Sequence, residues 1–266
     1  MISVTDQMGN TVSLEQPAKR IVSLVPSQTE LLYYLGVAPI GQTVFCIHPK
    51  DQFASANKIG GTKKLQLDKI RALQPDLIIG NKEENVEAQI EELKREFSVW
   101  MSDVNTLDEA YEMIDCVGQL IGKTDTSKQL VNSIQGAFNR LITSNSPKPS
   151  VVYLIWNDPY FGVASNTFIN DILHKAGYIN ALHHLDRYPK LSLQSLKEMQ
   201  PDFLFLSSEP FPFNVDHLAS LQRQLPQTKV VLVDGEMFSW YGNRLLQTPA
   251  YLNQLFSDIR GDESKS

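Results

Sequence analysis

Two segments of the chain repeat one short pattern, and this repeat restricts the possible folds more than any other feature. LQLDKIRALQPDLII (residues 65–79) aligns without a gap with LSLQSLKEMQPDFLF (residues 191–205). Each copy predicts a short helix, a Pro-Asp turn and an apolar strand. A weaker echo precedes each copy, SQTELLYYLGV at residues 27–37 and SNTFINDILHKAGY at residues 165–178. Because both echoes occur in the same order, we expect two related lobes. The positions identical in both strong copies are Leu65, Leu67, Gln74, Pro75 and Asp76.

Strand and helix patterns alternate along both halves of the chain. Short apolar runs rich in β-branched residues predict buried strands, and helical segments separate them. This alternation predicts an α/β fold with a mostly parallel sheet and flanking helices in each lobe. The predicted strands are Ile21–Val25, Val44–Phe45, Leu77–Ile79 and Phe97–Met101 in the first half, and Val151–Ile155, Phe203–Leu206 and Lys229–Val233 in the second.

One amphipathic segment separates the two halves. Between Lys123 and Ser146 the apolar residues recur at spacings of three and four, which predicts a helix of about 21 residues, roughly 30 Å long. We expect this helix to be a rigid connection between the lobes. The predicted domain limits are therefore 1–122, 123–146 and 147–266. The apolar positions are Leu130, Ile134, Ala137, Phe138, Leu141 and Ile142.

Composition and charge exclude several partners and leave the cellular location open. The chain is 42% hydrophobic and has a net charge of −6 without a basic run, which argues against nucleic acid or an anionic membrane as the main partner. The polar N-terminal stretch MISVTDQMGNTVSLEQ shows no secretory signal, so we expect either a cytoplasmic chain or one whose export segment has been removed. Cys46 and Cys116 are expected to be buried, unpaired thiols, with a single disulfide as the alternative.

Aromatic residues are concentrated in the loops that follow the predicted strands. Ligands of open α/β sheets bind at the carboxyl ends of strands, so these loops predict a wide apolar cleft. We expect about half of these rings to be structural. The residues concerned are His48, Trp156, Tyr160, Phe161, Tyr188, Phe211, Phe213, Phe238, Trp240 and Tyr241.

The sequence predicts no catalytic residues and no intrinsic cofactor. It contains no G-x-S-x-G, H-E-x-x-H, P-loop or G-x-G-x-x-G motif, and neither cysteine has metal-ligand spacing. His48, next to Pro49 at a strand end, is the most credible polar group for a ligand. The adjacent His183 and His184 are weaker candidates for contact with a metal or a metal-bearing ligand.

The blocks RIVSLVPSQTELLYYLG, LDKIRALQPDLII and RYPKLSLQSLKEMQPDF, together with the long helix, resemble the substrate-binding proteins of ABC importers for cobalamin and iron–siderophores. The resemblance is strongest to the cobalamin-binding members and extends from about Lys19 to Phe256. It implies two Rossmann-like lobes joined by one rigid helix, with a ligand held between them and little closure on binding. It also implies a monomeric, non-enzymatic protein that is periplasmic or extracytoplasmic, with an ABC permease as its partner.

The resemblance also assigns residues to roles. Docking to the permease would use an acidic residue on each lobe, and these positions are occupied by Asp68 and Gln194. The implied ligand-binding residues are Pro26, Ser27, His48, Trp156, Tyr160, Phe161, Tyr188, Phe238, Ser239, Trp240, Tyr241 and Arg244.

Three functional hypotheses follow. The first is a non-catalytic receptor for a metal chelate (a corrinoid, haem or ferric siderophore), in which Lys63, Lys64 or Arg244 could meet anionic groups. The second is a cytoplasmic tetrapyrrole-handling enzyme of the chelatase type, with His183 or His184 and Asp186 as its local metal-binding group. The third is a divalent-cation receptor, for which His48 would have no clear second-lobe co-ligands except the adjacent His183 and His184.

Overall fold

The structure, a computed structural model, describes residues 1–142 and 147–263. The chain forms two compact units. Unit 1 comprises Met1–Val104, Asp108–Gly136 and Trp240–Leu246, and unit 2 comprises Asn105–Leu107, Ala137–Ser239 and Gln247–Ser266. No helix in the described ranges has both the length and the apolar character needed to cross a lipid bilayer.

Unit 1 is built on a four-stranded parallel sheet with the order β4-β3-β7-β8. An antiparallel hairpin, β1–β2, precedes it, and a small β5–β6 ribbon precedes its third helix. The elements are β1 (Ile2–Thr5), β2 (Thr11–Leu14), β3 (Ile21–Ser23), α1 (Pro26–Tyr34), β4 (Gly41–Gln42), α2 (Lys50–Phe53), β5 (Gly60–Gly61), β6 (Lys64–Leu65), α3 (Leu67–Leu73), β7 (Leu77–Asn81), α4 (Glu87–Lys94), β8 (Val99–Ser102), α5 (Leu107–Leu120) and α6 (Thr124–Phe138). A 3₁₀ helix (Asn243–Leu246) from late in the chain also belongs to this unit.

Unit 2 contains a six-stranded sheet in which β9, β11, β13 and β14 are parallel and β10 runs antiparallel to β9 and β12. The predicted α/β architecture with mostly parallel sheets is therefore confirmed. The elements are β9 (Ser150–Trp156), β10 (Tyr160–Gly162), α7 (Phe168–Lys175), β11 (Ile179–Asn180), β12 (Lys190–Leu191), α8 (Leu193–Met199), β13 (Phe203–Ser207), α9 (Val215–Gln224), β14 (Lys229–Val233), α10 (Glu236–Ser239) and α11 (Thr248–Glu263).

The repeated Gln-Pro-Asp motif has the same structure in both units. The helices α3 and α8 each contain seven residues, and each ends at a left-handed glutamine, Gln74 with φ 46° and Gln200 with φ 44°. The carboxylate of Asp76 accepts hydrogen bonds from the backbone N–H groups of Lys19 and Arg20, just before β3. Asp202 accepts one from the N–H of Ser150, at the start of β9. The motif therefore ends a helix and fixes the start of the neighbouring parallel strand.

The left-handed glutamines give a first stability prediction. An L-residue with a side chain is strained in this region, whereas glycine is not. We therefore expect Gln74→Gly to raise the free energy of unfolding by about 0.5–1 kcal/mol, measured by urea denaturation. The control is Lys69→Gly, an exposed site inside α3, which should lose a similar amount. Equal effects at both positions would contradict the prediction.

The long helix is shorter than predicted. α6 ends at Phe138 after 15 residues, about 22 Å. Beyond it the N–H of Leu141 bonds the carbonyl of Phe138, and the N–H of Ile142 bonds the Asn253 side chain at 2.8 Å, which replaces helical hydrogen bonding with a turn. Ile142 is 61% exposed, so the apolar stripe ends with the helix. Residues 143–146 of the predicted helix lie outside the described residues.

The division between the units differs in detail from the sequence-based limits. It falls between Gly136 and Ala137, inside α6, and it assigns Trp240–Leu246 to unit 1. The limits at residues 122 and 147 therefore stay a prediction, as does the rigidity of the connection.

The predicted strand at Val44–Phe45 is wrong. The edge strand here is β4, which stops at Gln42, and the chain then turns, with the Cys46 N–H bonded to the Thr43 carbonyl. Val44 and Phe45 are consequently exposed instead of buried, and Phe45 keeps 58% of its accessible surface.

Candidate ligand-binding site

In unit 1, the strand-end residues Pro26, Ser27 and His48 lie beside a late segment of the chain. Pro26 begins α1 directly after β3, and Ser27 is buried in its first turn. The ring of His48 meets the ring of Trp240 edge-on, with 5.5 Å between centroids. Gly242 has φ 126°, a backbone conformation that residues with a side chain rarely adopt, so glycine lets the chain turn here beside Ser27 and Leu31. Trp240 therefore reaches the strand ends of unit 1 although it is distant in sequence.

Arg244 is held by an ion pair inside unit 1. Its Nη2 and Nε donate to the two carboxylate oxygens of Glu30, at 2.8 and 3.1 Å. Its guanidinium carbon lies 4.8 Å from the centre of a Trp240 ring, and the residue is only 8% exposed. A bidentate pair of this kind is strong and directional. Arg244 thus fastens Trp240 and its neighbours to α1, a role that sequence reasoning did not predict.

A cluster of exposed apolar side chains lies in the loop after β4. Val44, Phe45 and Ile47 are all exposed, and they precede His48 in the chain. Exposed apolar residues gathered at strand ends are a feature of binding surfaces. Sequence reasoning missed them because it placed Val44 and Phe45 in a strand, although the apolar run before His-Pro was a usable signal.

Both cysteines are free and buried, as predicted. The Cys46 sulfur is close to the Thr29 and Thr43 hydroxyls, at 3.0 and 3.1 Å, and burial raises the pKa of its thiol. Burial, with Glu112 and Asp115 nearby, raises the pKa of Cys116 to about 11. Both groups are therefore protonated, unreactive thiols at neutral pH.

In unit 2, Trp156 is the most exposed aromatic residue at a strand end. It is the last residue of β9 and keeps 41% of its surface, with its ring edge-on to Phe211 at 5.7 Å. Phe161 pairs with Trp156 across the β9–β10 ladder, and Tyr160 precedes it. All four rings lie at the carboxyl end of β9, where a ligand of an open α/β sheet would bind.

Other predicted site residues of unit 2 are less accessible. Phe238 is 0% exposed, and its ring packs against Tyr153, Phe205 and Tyr251. The structure therefore places Phe238 in the core and not on a solvent-facing loop, because α10 turns this side chain inward. The hydroxyl of Ser239 donates to Glu209 at 2.6 Å.

Tyr188 and Tyr241 are the two remaining predicted ligand-binding residues. Tyr188 is half-buried beside Arg187, whose guanidinium carbon lies 5.8 Å from the ring centre. Tyr241, in unit 1, is buried. The ligand-binding roles of all these residues stay predictions.

Residues 21–228 match the family described as periplasmic binding protein. The chain belongs to this family. It is 24% identical over 214 residues to the Bacillus subtilis ABC transporter substrate-binding lipoprotein YvrC, covering 76% of this chain and 67% of the relative. It is 24% identical over 198 residues to the vitamin B12-binding protein of Vibrio parahaemolyticus, covering 72% of each. It is 23% identical over 217 residues to the Fe(3+)-citrate-binding protein YfmC of Bacillus subtilis, covering 77% of this chain and 68% of the relative.

Solved structures share the fold of this chain. The periplasmic vitamin B12-binding protein BtuF of Vibrio cholerae superposes with a TM-score of 0.74 at 19% identity, covering 92% of this chain and 98% of that one. The periplasmic haem-binding protein HutB of the same species gives a TM-score of 0.75 at 22% identity, covering 89% of this chain and 98% of that one. The named ligands of these relatives and structural neighbours are vitamin B12, Fe(3+)-citrate and haem, and YvrC is named only as an ABC transporter substrate-binding lipoprotein.

The weak metal candidates do not form a metal centre with other groups in the described part of the chain. His183 and His184 are exposed neighbours with ring centroids 5.6 Å apart, and Nδ1 of His183 lies 2.9 Å from the carbonyl oxygen of Asn180. Within residues 1–142 and 147–263, no three or more His, Cys, Asp or Glu side chains are grouped so that they could hold a metal ion.

The predicted docking residues lie at equivalent positions of the repeat, in α3 and α8. The side chain of Asp68 is 100% exposed and bonds Arg71 at 3.1 Å. The Gln194 amide donates to Glu198 at 2.8 Å. Their role in docking stays a prediction.

Proposed function

We propose that this chain is the non-catalytic substrate-binding component of an ABC importer and that it captures a metal chelate, such as a corrinoid, haem or ferric siderophore. The observation that carries the proposal is the group of accessible aromatic and apolar side chains at the carboxyl ends of the strands in a protein of this family. In unit 1 these are Phe45, Ile47 and His48, and in unit 2 they are Trp156 and Phe211. Such side chains stack well on large, flat, partly apolar ligands.

Several further assignments accompany this proposal. The chelate is cargo and not a resident cofactor, as it is for the relatives. The partner is an ABC permease, and the protein acts as a monomer. We place it in the periplasm or elsewhere outside the cytoplasm, because relatives include a substrate-binding lipoprotein and periplasmic proteins.

The test is a titration of apo protein with cyanocobalamin, haemin, ferric citrate and a ferric hydroxamate, followed by tryptophan fluorescence. Binding near Trp156 should quench its emission. Saturable quenching by one of these chelates is expected, and no quenching by any of them would contradict the proposal.

Two variants test where the ligand binds. Trp156→Ala and His48→Ala should each weaken binding by about 1–2 kcal/mol, roughly 5–30-fold, because each removes a stacking ring. Tyr34→Ala is the control, since Tyr34 is an exposed aromatic at the last residue of α1, at the opposite end of that helix from the strand-end loop. Calorimetry should show an unchanged dissociation constant for the control. Equal losses in all three variants would exclude a site at the strand ends.

A further inference from the structure

Basic side chains at the strand ends of unit 1 are already neutralised by partners within the unit. Arg244 is the arginine predicted to contact a ligand. Its guanidinium donates two hydrogen bonds to the Glu30 carboxylate. Lys82, directly after β7, is paired with Asp103 at 2.6 Å. An anionic ligand would have to compete with these carboxylates, which lie at hydrogen-bond distance and need no further desolvation.

Two more lysines of unit 1 face other groups of the protein. The ammonium of Lys63 donates to the backbone carbonyl of Glu83, and its charge partly offsets the effect of burial, which raises the pKa of Glu84. Lys58 donates to the carbonyl of Phe53 and lies 3.8 Å from the centre of that ring. Burial lowers the pKa of Lys58. Both ammonium groups therefore bond to carbonyl groups of the protein, and neither is positioned to bind a ligand.

The remaining lysines of these loops are ordinary surface charges. Lys50 and Lys64 are exposed, and Asp51 directly follows Lys50. Charges that stay solvated and are screened by salt contribute little to binding. The basic groups of unit 1 therefore do not make a site for a polyanion.

The segments that follow three of the four parallel strands of unit 2 are acidic. The loops after the three adjacent parallel strands β9, β13 and β14 (residues 157–159, 208–214 and 234–239) contain no lysine or arginine. They contain four carboxylates, which are Asp158, Glu209, Asp234 and Glu236. Carboxylates repel an anionic ligand and accept hydrogen bonds from N–H and O–H donors.

Apolar rings occur close to two of these carboxylates in the chain, with Trp156 two residues before Asp158 and Phe211 two residues after Glu209. The combination of flat apolar rings with hydrogen-bond acceptors matches a ligand that has an apolar surface and amide or hydroxyl groups at its edge. Taking the proposed function as the starting point, we infer that the ligand is an uncharged metal chelate bearing hydrogen-bond donors, and not a polyanionic one. Carboxamide-bearing corrinoids and neutral ferric hydroxamates belong to the first class. Haem, ferric citrate and ferric catecholates belong to the second.

Two matched pairs of ligands test this inference by calorimetry. The first pair is cobyrinic acid heptaamide and cobyrinic acid heptacarboxylate, which share the corrin ring and differ in having carboxamide or carboxylate side chains. The second pair is a neutral ferric trihydroxamate and a ferric tricatecholate. The uncharged member of the pair that binds should bind at least about 100-fold more tightly, and the ratio should fall as salt is raised. Tighter binding of the anionic member would overturn the charge inference and leave the proposed function standing. If none of the four binds but haemin or ferric citrate does, the charge inference is overturned and the proposed function stands. If haemin and ferric citrate also fail to bind, both are overturned.

Charge-neutralising variants complete the test. Glu209→Gln and Asp158→Asn should each reduce the preference for the uncharged ligand by about fivefold to tenfold, because each removes one repulsive charge. Two variants are used so that a folding defect in one of them does not decide the result. Circular dichroism checks that both variants are folded. Glu198→Gln is the matched control, since it removes an exposed carboxylate of α8 in the same unit. An unchanged preference in both loop variants would contradict the inference.

Discussion

Replacing Glu30 with alanine is expected to lower the free energy of unfolding of unit 1 by about 3–5 kcal/mol. The carboxylate and its partner Arg244 keep only 15% and 9% of their side-chain exposure. Without Glu30 the charged guanidinium would stay buried without its carboxylate. The cost of removing this charge from water would then no longer be offset by the ion pair. Urea denaturation followed by circular dichroism measures the loss.

A second ion pair supplies the control for this experiment. Arg71 and Glu92 also lie within 2.5 Å of each other, but their side chains are 31% and 46% exposed. Glu92→Ala should therefore cost no more than about 1 kcal/mol. The double variant Glu30→Ala, Arg244→Met should recover part of the loss, since no charge is left buried. Similar losses for Glu30→Ala and Glu92→Ala would show that burial does not govern the Glu30 pair.

Replacing Phe238 with alanine is expected to destabilise unit 2 by about 3–5 kcal/mol. Its ring is enclosed by three others, with the Tyr153 ring 5.1 Å away and those of Phe205 and Tyr251 both 6.2 Å away. Removing it leaves a cavity that these rigid rings cannot fill. The same variant should leave ligand affinity unchanged at temperatures where the protein is folded. The two measurements together separate a core role from the ligand-binding role predicted from sequence.

Phe211→Ala gives the contrasting case. Phe211 is half-buried and lies against Trp156, so its removal should cost less stability and more affinity than the removal of Phe238. The reverse order, with Phe238→Ala weakening binding most, would restore Phe238 to the binding surface.

The parts of the fold predicted correctly are those that depend on local patterns. The repeated helix, Gln-Pro-Asp turn and strand were visible in the sequence because they follow from turn chemistry and apolar periodicity. Their tertiary role was not visible. The Asp76 carboxylate bonds the Lys19 and Arg20 N–H groups, and nothing local marks that contact. The β1–β2 hairpin was also not predicted.

The wrong secondary-structure predictions occur at apolar residues that are exposed in the structure. Ile142 continued a helical stripe, and Val44 and Phe45 resembled a strand, yet all three are exposed. Periodicity identifies which residues could share a face, but only the tertiary fold decides whether that face is covered. The candidate site was predicted in composition, with aromatic loops at strand ends. Its electrostatics was not predictable, because the Glu30 partner of Arg244 lies 214 residues away in sequence.

The assignment of Trp240–Leu246 to unit 1 has a consequence for how the protein matures. During synthesis, residues 1–136 leave the ribosome long before this segment exists, and most of unit 2, residues 137–239, is made in between. Until Arg244 emerges, Glu30 has no guanidinium to neutralise it and α1 lacks the 3₁₀ helix that packs on it. The unit whose synthesis begins first is therefore not complete until most of the other unit has been made.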